Sequence, residues 1–266
     1  MMREAGIAAE SLYSGLTALR KANYAQVSLY NHAFFGITIG LERMAKLAIL
    51  IESRTVSGGV YPTDDELRRA YGHDLNKLFA KVDSIREDYV DKLNWSLPNE
   101  AVSRSALSIL ADFARWTRYY NMDVLVGAKN VRMRRDPVEA WFTEIGGWVL
   151  RDKYSKVRAK NDETFARFAE AAIGKESFML HIAEDGSQIS SVYDATLRSR
   201  QMDIIQREGA VICACLARHI ADVMFELVWK TRSMGVTDIP DVAEFFTMLY
   251  NDESYLRSRK TFSILR

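Results

Sequence analysis

The chain has 266 residues, 48 % apolar and 27 % charged, proportions that exclude a disordered or collagen-like polymer. Thirty-six basic and 35 acidic residues leave a formal charge of +1, so bulk charge selects no partner. Fourteen glycines and four prolines are few for a turn-rich all-β protein, and the length predicts one large domain or two tightly joined ones.

The N-terminus, Met1-Met2-Arg3-Glu4-Ala5-Gly6, has one basic residue and no apolar segment before Glu10, so it does not read as a secretory signal. From Ala33 to Ile51 the chain is strongly apolar, but Glu42, Arg43 and Lys46 interrupt it. A membrane span needs about 20 residues with few charges, which makes this a buried soluble helix. Phe34, Ile37, Leu41, Met44, Ala48 and Ile51 form its stripe, and Gly36 and Gly40 would let a neighbouring helix approach closely. Ser57-Gly58-Gly59 reads as a loop. Thr63 and Glu66 form a capping box, Gly72 breaks that helix, and a new one begins near Asp74 with Leu75, Leu78, Phe79 and Val82 inward.

A helix is predicted from about Ser103 to Asn121, with Ala106, Ile109, Leu110 and Phe113 on one face. Asp136-Pro137-Val138-Glu139 is the strongest helix start, and the helix it opens aligns Val138, Trp141, Ile145 and Trp148. A shorter helix ends near Ile173-Gly174. Phe178, Leu180 and Ile182 alternate before the turn signal Asp185-Gly186, which predicts a small hairpin. A long helix follows from about Asp194 to Arg232, and a last one begins after Ile239-Pro240. Cys213 and Cys215 lie two apart in the long helix, about 200° around it, and read as small core residues of a cell-interior protein. The fold class expected is an all-α helical bundle with one small hairpin or irregular insert near 178–192. The chain divides into 1–135 and a helical region 136–266 packed on it, or forms a single domain.

No phosphate-binding glycine loop, HExxH, Glu-x-x-His pair or GxSxG elbow occurs, so neither a metal site nor a cofactor is expected. The first candidate is Arg68-Arg69-Ala70-Tyr71-Gly72-His73, an arginine and a histidine with four residues between them. Such a pair can cleave RNA without metal. Histidine, which titrates near neutrality, moves the proton of the 2′-hydroxyl or of the leaving oxygen, and arginine stabilises the pentavalent phosphate. With 24 arginines and four histidines about one such pair arises by chance, and His73 also reads as a loop histidine capping the next helix. The second candidate is Arg115-Trp116-Thr117-Arg118-Tyr119-Tyr120-Asn121, followed by Lys129, Arg132, Arg134 and Arg135. From Arg115 to Lys160 eleven basic and five acidic residues give +6, and arginines among aromatics suit single-stranded RNA. A helix with buried aromatics and solvated or paired arginines is the alternative. The third is the tail with Arg257, Arg259, Lys260 and Arg266, which could touch phosphate or a partner subunit but is expected to be solvated. His219 is expected in the core or a groove, and His181 in the insert, without a role.

The helix Phe35-Gly36-Ile37 through Gly40-Leu41-Glu42-Arg43-Met44-Ala45-Lys46-Leu47, then Tyr71-Gly72-His73-Asp74-Leu75-Asn76-Lys77-Leu78, resembles the first helical hairpin of HEPN-type proteins over about residues 25–125. The resemblance implies an all-helical, usually dimeric protein of bacterial toxin–antitoxin or phage-defence systems, in many members a metal-independent ribonuclease. Catalytic members carry arginine-x4-6-histidine on a later helix. Here Arg115, Arg118, Tyr119 and Asn121 stand near that place with no histidine in reach. The expectation is a cytoplasmic homodimer that binds or cleaves RNA, with His73 as acid/base and Arg68 or Arg115 on the phosphate. Arg118, Tyr119, Asn121, Arg132, Arg134 and Arg135 would form the RNA surface. The alternatives are a non-enzymatic module for a partner protein, with no membrane contact, and a small-ligand pocket lined by tryptophan and tyrosine.

Overall fold

The computed structural model describes residues 1–56, 60–90, 97 and 100–264. The loop expected at 57–59, Arg266 and the side chain of Arg132 lie outside the described residues. In α1 (Met2–Leu19) Ala5, Ala8, Ala9, Leu12, Leu16 and Leu19 recur every three or four residues and are buried. They pack on α2 (Ser28–Val56), where Ile37, Leu41, Met44, Ala48 and Ile51 are buried as their spacing predicts. A Cβ on Gly36 would lie 2.7 Å from the Ser11 carbonyl oxygen, and one on Gly40 2.7 Å from Leu12 Cβ. The close approach expected of these two glycines is therefore made, and its partner is α1.

The capping box forms at the start of α3 (Asp64–Ala70): Glu66 N–H donates to Thr63 Oγ1 at 3.3 Å, and Thr63 N–H to Glu66 Oε2 at 2.7 Å. Gly72, at φ +52°, takes the left-handed conformation that turns the chain into α4 (Leu75–Tyr89). The helix expected over 103–121 is three pieces. α5 (Glu100–Asp112) passes into a π-helical turn (Phe113–Thr117), and α6 (Tyr120–Leu125) follows. The Asp136 cap opens α7 (Pro137–Trp141), which leads through a second π turn (Phe142–Gly146) into α8 (Gly147–Asp152). Trp141 and Ile145 are fully buried, whereas Val138 and Trp148 are half-buried.

After α9 (Lys156–Ile173), β1 (His181–Ile182) pairs antiparallel with β2 (Gln188–Ile189), which supplies the expected hairpin. Its alternating Phe178, Leu180 and Ile182 are exposed. α10 (Val192–Ser233) runs 42 residues, roughly 63 Å, through the middle of the molecule. The last helix after Pro240 is instead a 3₁₀ segment (Val242–Tyr250), with α11 (Glu253–Ser258) beyond it. At three residues per turn Ala243, Phe246 and Leu249 align in one row beside Val242 and Met248, so two adjacent rows reach the core. The tail is not simply solvated. Phe262 is buried and its N–H donates to Thr17 Oγ1 at 2.9 Å, while Arg20 donates to the Arg259 carbonyl at 3.0 Å.

The fold is all-α with one two-stranded insert among the described residues. Leu12, Phe34, Leu78, Leu110, Trp141, Leu216 and Phe246 belong to one contiguous apolar core. Cys213 and Cys215 are buried free thiols within it, and burial pushes Cys215 up to about 12. No helix among the described residues is long and apolar enough to cross a membrane.

Candidate nucleic-acid interface

The site begins at the turn between α3 and α4. Asp74, not His73, caps α4: its Oδ1 accepts from Asn76 N–H at 3.1 Å and Lys77 N–H at 3.3 Å. His73 is mostly exposed, and its Nδ1 lies 3.0 Å from Glu42 Oε2. Glu42 Oε1 also accepts from Lys46 Nζ at 2.7 Å. An ionised carboxylate only accepts, so Nδ1 carries the proton in this contact and Nε2 is the basic nitrogen of a neutral ring.

The second oxygen of Asp74 draws in the basic segment. Arg115 Nη1 donates to Asp74 Oδ2 at 2.7 Å, which ties the end of α5 to the residue beside His73. Arg68 instead donates to Asp64 at 3.0 Å, with both side chains exposed on α3. Of the two arginines weighed as phosphate ligands, Arg115 is therefore the one that bonds to the His73 turn.

The π turn sets what the end of α5 presents. Phe113 and Thr117, four apart, are buried, and Arg115 and Trp116 between them are exposed. The guanidinium of Arg115 lies 4.8 Å from the centroid of a Trp116 ring and that of Arg134 5.7 Å from it. Arg134 also donates to the Trp116 carbonyl at 2.9 Å and to Asp123 at 3.1 Å, and Arg135 pairs with Glu144. Local carboxylates thus offset much of the positive charge counted in this segment. Arg118 makes no ion pair among the described residues. Its guanidinium stacks 4.6 Å over Phe35 and donates to the Ala114 carbonyl at 3.2 Å.

A cavity of about 310 Å³ opens beside Arg118, between the start of α2, the π turn, α6 and the start of α7. Arg118, Tyr119 and Asn121 line it together, and Arg134 and Arg135 do not. Thr117 Oγ1 and Arg118 Nε are buried without a hydrogen-bond partner, at a cost of about 1–3 kcal/mol for each such group. Sequence reasoning missed Phe35, Glu42, Asn31 and Asp136. The available signal was an aromatic and a carboxylate seven residues apart on one face of α2, off its buried stripe.

The other histidines stand elsewhere. His219 is buried on α10, stacked on Phe79, with Nε2 2.7 Å from Asp83 Oδ1. His181 packs edge-on against Tyr24. No group of three or more histidine, cysteine or acidic side chains among the described residues could hold a metal. Comparison with protein-family models, curated proteins and solved structures returned no match.

Proposed function

We propose that this HEPN-like chain binds single-stranded RNA across α2, the α3–α4 turn and the end of α5, with His73 placed to act as a general base. The observation that carries the reading is the exposed Trp116 ring with two guanidiniums within 6 Å, one of them bonded through Asp74 to the turn that bears His73. Bases stack on such a ring, and phosphates compete with Asp74 and Asp123 for the arginines. Cleavage would follow from the Glu42-oriented imidazole. His73 Nε2 takes the 2′-hydroxyl proton, the 2′-oxygen attacks phosphorus, and the bond to the 5′-oxygen breaks. Water protonates the leaving oxygen while Arg115 holds the phosphate charge. A homodimer would present this surface twice.

The test is binding and cleavage of an end-labelled RNA in EDTA. Trp116→Ala is expected to weaken binding by about 1–3 kcal/mol. With few phosphate contacts the affinity falls gently with salt, by a log–log slope of roughly −0.7 per contact. His73→Ala is expected to abolish cleavage and spare binding; cleavage that survives His73→Ala removes the catalytic role.

One observation favours the second reading, a docking module for a partner protein. Tyr119, Met122, Val124, Leu125, Val126 and Met133 are all exposed around α6. RNA binding that is unmeasurable at low salt would transfer the assignment to that face.

A further inference from the structure

We infer that the cavity beside Arg118 receives one unpaired nucleobase and prefers a base with an exocyclic amino group; this deepens the RNA-binding reading and rests on it. The walls are of two kinds. Phe35 and Tyr119 are exposed rings of the lining, and the Arg118 guanidinium already stacks on Phe35, so a flat heteroaromatic ring finds faces to lie against.

The polar groups of the lining match the edge of a base better than an apolar side chain. Thr117 Oγ1 and the amides of Asn31 and Asn121 both donate and accept, as a base edge does. Arg118 Nε only donates, and it is buried with no acceptor, as Thr117 Oγ1 is buried with no partner. A ring nitrogen or carbonyl oxygen of a base would supply the missing acceptor. Asp136 also lines the cavity, and its Oδ1 accepts from Val138 N–H at 2.7 Å and Glu139 N–H at 3.3 Å. Its Oδ2 can only accept, which favours the amino group of cytosine, adenine or guanine over the carbonyl of uracil.

The experiment is fluorescence anisotropy of the full chain with labelled eight-nucleotide RNAs: oligo-C, oligo-A, oligo-U and a strand of the same length without bases. Oligo-C and oligo-A are expected to bind about five-fold or more tighter than the abasic strand, with oligo-U between. Thr117→Val, which keeps the shape and removes the hydroxyl, is expected to narrow that gap while leaving abasic affinity unchanged, the remainder being stacking on Trp116. Asn31→Ala, on an exposed position of α2, repeats the test where Thr117→Val fails to fold. Asp136→Asn, which retains a capping oxygen, is expected to narrow the difference between oligo-C and oligo-U. A preference for base-bearing strands that Thr117→Val and Asn31→Ala both leave intact overturns the pocket and leaves the RNA-binding reading standing. Equal affinity for abasic and base-bearing strands overturns the pocket and the stacking on Trp116 together. Absence of binding to every strand overturns the pocket and the RNA-binding reading.

Discussion

Glu184 follows the hairpin strand β1, with its side chain withdrawn from solvent among Tyr30, whose hydroxyl donates to Oε1 at 3.2 Å, and Arg198 at 3.8 Å. Burial raises its carboxyl pKa, against the pull of Arg198 and of the hydrogen bonds. A carboxyl whose pKa is higher folded than unfolded binds more protons when folded. Its ionisation therefore costs nothing below the unfolded pKa and opposes folding increasingly as pH rises through the folded one. Glu184→Gln keeps an acceptor for Tyr30 and removes that penalty. Its melting temperature relative to the parent is expected to rise as the pH goes from 4 to 7. A difference independent of pH would show that Glu184 titrates as it does unfolded. At this scale the sequence yielded residues without their partners. The Arg68–His73 spacing is visible in a string of letters, but Glu42 is 31 residues from His73 and Asp74 is 41 from Arg115. No local pattern encodes such pairings.

Helices were legible where one apolar stripe is buried against one neighbour. The α1–α2 crossing shows how narrow the tolerance is: a methyl group on Gly40 meets Leu12 Cβ at 2.7 Å and its Cα at 2.9 Å. Both atoms belong to a buried helix and not to a flexible side-chain end, so the helices must separate. Gly40→Ala is expected to destabilise the fold by about 1–3 kcal/mol in urea unfolding, although alanine is the better helix former. A neutral or stabilising result would mean that the crossing can shift. The π turns at 113–117 and 142–146 and the 3₁₀ run at 242–250 escaped the sequence pattern for one reason. Apolar spacing of three and four residues is shared by all three kinds of helix, so the buried set is predicted well and the winding is not.

Among the described residues the buried apolar groups form one large core and one small cluster. The second comprises Ala183, Ile189 and Ala195, with Tyr24 and Met179 against it, under the hairpin. α10 spans both, with its central residues Ile204 to Val228 in the large core. Local opening of the hairpin exposes little apolar surface, whereas opening the middle of α10 exposes the bundle. In native-state hydrogen exchange the Ala183 amide, bonded to the Ser187 carbonyl at 2.8 Å, is expected to exchange at least about 100-fold faster than that of Leu216. Equal rates would make the insert part of the global unfolding unit. Apolar spacing announced the all-α class, because it reports which faces must be buried. It is silent on which helix is central, since that depends on who packs against whom.

The π turn at the end of α5 is a place where the chain can change length in descent without losing the surface beyond it. It accommodates an extra residue within a helix that is otherwise regular. Removing one residue there would restore ordinary winding and leave the segment downstream facing almost as it does now. Arg118, Tyr119 and Asn121 would stay at the cavity, and the change would be confined to the turn itself, Phe113 to Thr117. One codon can thus be lost or gained at this point while the surfaces on either side of the turn are kept, a change of length that no series of side-chain replacements imitates.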